Sequence, residues 1–186
     1  MNNQRTSRFM WFDLGCLSFL AALSEWMSNR LLNLWNSSFY FSFSMAICLI
    51  AMIRWGAAGT AVGVIGAVPG MWFSHMSLSG RLLFYVAATG AVGIPAVLYG
   101  DRDRNLIAGN VLYLTVYVVL CHLCLAAGKG AAVFLLTGEG TGFRDYLGAT
   151  LFILVINVIV CIVLKAREGL ICDMRYYFKE GEDHEE

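Results

Sequence analysis

Apolar residues gather in six stretches, approximately 9–28, 38–55, 57–75, 79–99, 106–127 and 146–165, separated by short polar or charged breaks. A helix that crosses a bilayer needs about 20 mainly apolar residues. The pattern therefore predicts an all-α membrane protein, a compact bundle of six transmembrane helices. From the break at Gly56 through the third stretch, Gly56, Gly59, Gly63, Gly66 and Gly70 recur at steps of 3, 4, 3 and 4, which on a helix places them on one face. In water each interior glycine costs about 1 kcal/mol against alanine. In a bilayer the same stripe lets a neighbouring backbone approach closely, and packing is what drives association there. Gly15, Ser18 and Ala22 form a second small-residue stripe on the first helix, at steps of 3 and 4. Of the two stripes, one can serve internal packing and the other can meet a separate membrane protein. Between the last two stretches lies a Gly-rich segment, 128–145, whose apolar portion 131–136 reads as a short extension or a re-entrant turn. Pro69 and Pro95 fall inside helices, where neighbours can satisfy the freed carbonyls.

Composition agrees with this picture: 59% of the 186 residues are hydrophobic, 14% are charged, and mean hydropathy is +0.66. Soluble domains carry about 25% charged residues, so lipid must cover much of this surface. The formal net charge of zero gives no reason to invoke nucleic acid. Arg5 and Arg8 precede the first apolar run, but that run contains Asp13 and lacks a clear small-residue cleavage site, so it reads as a retained helix. With the N-terminus in the cytoplasm, the inner side holds nine basic residues and the outer side four, namely Arg30, Arg81, Lys129 and Arg144. That bias places both termini in the cytoplasm and the chain in the cell membrane. Residues 1–166 form the membrane domain, and 167–186 read as a polar, solvated cytoplasmic tail ending in EGEDHEE. The six cysteines lie mostly in apolar segments, where free Cys behaves as a small hydrophobe and not as part of a disulfide framework.

The outer helix ends are rich in aromatic and polar side chains: Trp26, Asn29, Arg30 and Trp35, then Tyr40, then Trp72 and His75, then Arg81. An interfacial aromatic belt would use the same Trp and Tyr residues. Stacking rings with a few directed polar groups also suit an aromatic or heterocyclic small molecule. These eight residues are the candidate substrate contacts. Glu25 stands out because an intramembrane carboxylate is costly and usually faces a cavity or a partner. Arg30 is five residues away and off its face, so a ligand amine or a group on another helix are equal alternatives. Cys121-His122-Leu123-Cys124 has C-x-x-C spacing, but His122 points about 100° away and no second Cys pair exists, so no metal and no cofactor is expected. The GEGTG motif at 138–142 lacks the Lys-Ser/Thr ending of a phosphate loop and reads as a gate. No nucleophile elbow, H-E-x-x-H motif or paired core carboxylate is present, so no enzyme activity is expected.

The block SMAICLIAMIRWGAAGTAVGVIGAVPGMWF (Ser44–Phe73) and the small-residue segment SFLAAL (18–23), together with size and helix number, resemble the substrate-binding S components of energy-coupling factor (ECF) transporters. That resemblance implies a non-enzymatic subunit that captures a vitamin or related micronutrient at high affinity. It would deliver the ligand by toppling within a complex containing a T component and two cytoplasmic ATPases. Ser18 and Ala22, with Gly15, would pack on the T component, and the loops 30–37 and 138–145 would act as gates. Two other readings of the residues are a membrane sensor or anchor signalling through its tail, and an intramembrane enzyme using Glu25 or His122 as an acid–base group.

Overall fold

A computed structural model describes residues 2–35, 42–100, 104–138, 140, 142–167 and 170–174. The helices are α1 (Asn2–Trp35), α2 (Ser44–Trp55), α3 (Thr60–Phe73), α4 (Leu78–Tyr99), α5 (Arg104–Gly109), α6 (Val111–Thr137) and α7 (Gly142–Lys165). Among the described residues there is no strand. The stretches Ser44–Phe73, Leu78–Tyr99 and Val111–Thr137 are long and apolar enough to cross a membrane, which makes this a helical membrane protein.

The first of those stretches doubles back on itself. Gly56 adopts φ +65°, a conformation that glycine takes without a steric penalty, and a tight turn over Gly56–Gly59 follows. A Cβ at Gly59 would collide with the backbone of Ala51 and Met52. One at Gly63 would sit 2.6 Å from the Cys48 sulfur, and one at Gly66 would sit 2.7 Å from the Ser44 hydroxyl. As α3 advances its partner on α2 recedes, so the two limbs run antiparallel. Gly59, Gly63 and Gly66 are thus spent inside the chain against α2, while Gly56 sits in the turn beside Arg104 and Gly70 faces the Tyr85 ring, so the five do not share one helical face. The limbs have 12 and 14 residues, about 18 and 21 Å of helix, so the 30-residue length of this stretch is divided between two antiparallel limbs and does not measure a single span.

Helix α1 extends well beyond the predicted 9–28, to 34 residues. Its buried positions Leu14, Ser18, Ala21, Glu25 and Ser28 follow steps of 4 and 3, the spacing of a coiled-coil seam. Ala21 meets α3 at Gly66, where a Cβ would come within 2.9 Å. Helix α6 also outruns its predicted end at 127. Asn110 caps its start by accepting from the Leu112 amide at 2.8 Å, and the helix runs to Gly138, which ends it in the left-handed conformation at φ +76°. Residues 128–137 are therefore helix. Gly128 is needed there because a Cβ would press to 2.6 Å from the Ala88 carbonyl oxygen of α4.

The half of the bundle opposite the α1–α2 connection is tied by charge. Asp13 accepts from the Arg54 guanidinium at 2.9 Å and from the Trp55 indole at 2.6 Å, and Arg54 also donates to the Leu170 carbonyl at 3.3 Å. Arg104 and Asp173 form an ion pair at 3.3 Å with both side chains 4% exposed. Residues 170–174, within the segment expected to be a solvated tail, instead pack down: Ile171 joins the cluster around Leu49, Met52 and Tyr117, and Met174 joins Leu14, Trp55 and Val62. Burial pushes the Cys172 thiol up, with Arg54 opposing and Asp173 adding to the shift. Residues 175–186 lie outside the described set.

Candidate functional site: a charged and aromatic cavity

The other half of the bundle encloses a cavity of about 640 Å³, within the range of small-molecule sites. Helix α1 contributes Glu25 and Asn29, one turn apart on one face. The start of α2 contributes Ser42, Ser44, Met45 and Cys48, and α3 presents only Gly63 and Ala67. Small side chains on α3 leave space that bulkier ones would fill. From α4 come Phe84, Tyr85 and Thr89. Consecutive residues on a regular helix diverge by about 100°. Phe84 and Tyr85 lie in a π-helical turn, Leu82–Ala87, whose wider i→i+5 loop lets both rings reach the cavity.

Helix α6 supplies His122, Leu125 and Lys129, again at steps of 3 and 4, and α7 supplies Tyr146, Gly148, Thr150, Phe152 and Ile153. Phe84 anchors the aromatic wall: its centroid is 5.1 Å from Tyr85 at 77° and 5.5 Å from Tyr146 at 52°. The Lys129 ammonium lies 5.1 Å from the same ring centroid, a cation–π arrangement. Glu25 is 8% exposed and lines the same cavity as Lys129. Among the described lining residues the cavity therefore carries one acidic and one basic side chain, from α1 and α6.

His122 is held at both ring nitrogens. Nδ1 lies 2.9 Å from the Val118 carbonyl, which can only accept, so the network assigns the proton to Nδ1. Nε2 then accepts from the Asn157 amide at 3.1 Å. Asn157 is 1% exposed, and its Oδ1 has no hydrogen-bond partner among the described residues. Cys121 is buried beside His122 and Cys124 is half-buried. Among the described residues no three His, Cys, Asp or Glu side chains converge to hold a metal.

Of the eight residues singled out at the helix ends, Asn29 lines the cavity and donates to the Glu25 carbonyl at 2.8 Å. Trp26 faces outward with Arg30 stacked 5.6 Å above its ring. Trp72 is 76% exposed and His75 is exposed. Arg81 is half-buried and donates to the Met76 carbonyl at 2.8 Å. Tyr40 and the Trp35 side chain lie outside the described residues. The small-residue stripe divides: Ser18 is buried in the seam, Ala22 is half-buried, and a Cβ at Gly15 would meet nothing within 4 Å. The sequence reading counted Lys129 only among the outer-side basic residues and did not single out Lys129, Phe84 or Tyr146 as candidate contacts. Lys129 lies seven residues after His122, two helical turns along the same face, and that spacing was the available signal.

No protein-family model, curated protein or solved structure matches the chain.

Proposed function

We propose that the protein is the membrane binding subunit of an uptake system for a small aromatic or heterocyclic micronutrient. The observation that carries this reading is the 640 Å³ cavity in one half of the bundle, lined by rings and by a pair of opposite charges. Buried charges of this kind inside a membrane bundle usually mark a substrate site. In this reading the chain crosses the membrane six times, with both termini in the cytoplasm. Arg54 and Arg104 then lie at the cytoplasmic face, in keeping with the positive-inside bias, and the cavity belongs to the outer half. A T component and two ATPases supply the energy, as the S-component resemblance implies. The open surface at Gly15, flanked by exposed Trp11, Phe12 and Phe19, offers those partners a helix face of low relief.

Purification from its native membrane tests the proposal. Mass spectrometry of the detergent eluate is expected to find a retained small molecule, and pull-down is expected to recover two ATPases with a T component. Gly15→Leu is expected to abolish uptake while leaving ligand retention unchanged. An eluate with neither ligand nor ATPases would refute the reading.

A further inference from the structure

The charge pattern of the cavity narrows the class of ligand. Glu25 and Lys129 both line one cavity that also holds neutral groups, with His122 satisfied at both nitrogens by Val118 and Asn157. A guest with net charge would leave one unbalanced charge in a low-dielectric interior, which is strongly unfavourable. A neutral guest without polar ends would separate two opposite charges and replace their attraction with nothing. A guest with a positive and a negative end satisfies both, and each contact is a charge-assisted hydrogen bond.

We propose that the cavity takes a zwitterion built on a flat ring, with its amine at Glu25, its acid group at Lys129 and its ring against Tyr85 and Tyr146. This assignment rests on reading the cavity as a ligand site. Asn29, one turn beyond Glu25, stands beside the amine end. The Lys129 ammonium, poised over Phe84 at 5.1 Å, meets the acid end without giving up its ring contact. The order of charges also fixes the direction of binding. The amine end lies on the α1 side and the acid end on the α6 side.

Three indole probes of matched ring and differing charge decide it: tryptophan (zwitterion), tryptamine (cation) and indole-3-propionate (anion). Isothermal titration uses the detergent-solubilised full chain. The wild type is expected to bind tryptophan at least about tenfold more tightly than either singly charged probe, since each charged hydrogen bond is worth a factor of about ten or more. Glu25→Gln should turn the preference towards indole-3-propionate, and Lys129→Met towards tryptamine. Should a variant elute as aggregate, the wild-type ranking alone decides. Equal binding of the three, or preference for a singly charged probe, overturns the zwitterion and leaves the ligand site standing. If no probe binds, the molecule recovered from native membranes decides: a zwitterion supports the assignment and a net-charged compound sinks it. No binding and no recovered molecule defeats both readings.

Discussion

Gly59→Ala adds a single methyl group at the tightest point of the α2–α3 hairpin. The atoms that this methyl would strike are the backbone of Ala51 and Met52, which cannot rotate away as a side-chain tip can. The two limbs must separate, and overpacking of this kind costs about 1–3 kcal/mol. For a chain of this size that corresponds to a fall in melting temperature of about 2–12 °C. Gly15→Ala is the matched control, because the same methyl enters open space there. Its effect reduces to helix propensity, which favours alanine. Thermal unfolding of the detergent-solubilised variants, followed by circular dichroism, measures both. A third variant adds a rescue. The nearest obstacle to Gly63→Ala is the Cys48 sulfur at 2.6 Å, while the Cys48 Cβ stands at 3.4 Å. Cys48→Ala removes the sulfur, so the double variant should melt higher than the sum of the single losses predicts, with a coupling of about 0.5–3 kcal/mol. Equal melting temperatures for Gly59→Ala and Gly15→Ala, or strict additivity at positions 48 and 63, would refute the account of the hairpin.

The remaining predictions concern buried polar groups. Asp173→Asn removes the charge that faces the buried Arg104 guanidinium and should cost about 3–5 kcal/mol, whereas Arg104→Met with Asp173→Leu should regain most of that loss in denaturant titration. A double variant as unstable as Asp173→Asn alone would show that the pair is not the cause. Asn157→Leu removes the donor to His122 Nε2 and should cost about 1–3 kcal/mol. Because His122 and Asn157 share one hydrogen bond, a thermal-unfolding cycle of His122→Ala and Asn157→Ala should be non-additive, and additivity would count against the bond.

Much of the fold was legible because glycine spacing and apolar runs carry their geometry openly. Gly59, Gly63 and Gly66 of the stripe marked the face packed on α2, while Gly56 fell in the turn beside Arg104 and Gly70 against the Tyr85 ring, and the break near Gly56 separated α2 from α3 in the right place. The end of α6 was not legible, since Gly128 and Gly130 look like loop residues by the propensities that hold in water. In the bundle Gly128 is instead the contact that lets α4 touch α6. Ending the helix at 127 also kept Lys129 off the face it shares with His122. The site was only half legible for a simpler reason. Glu25 and Trp26 are neighbours on a helix, about 100° apart, so one face cannot hold both. The structure turns Glu25 inward and Trp26 outward. Likewise Gly70 faces the Tyr85 ring, and Trp72, two residues on, is exposed. Reading residues by their depth along the helix reached the end of the bundle that holds the cavity. Only the angular position around each helix separates the cavity wall from the outer surface.

The backbone contact at Gly59 has a mechanical consequence. At Gly59 no side chain separates the two backbones, and the Cys48 and Ser44 side chains fill the gap farther along, so α2 and α3 are expected to shift together as a pair. Its one end is bolted to Asp13 through Arg54 and Trp55, and its other end carries Ser44 and Met45 in the cavity wall, about 18 Å away. A displacement of the charged end is therefore expected to reach the cavity wall as well, as it would along a strut.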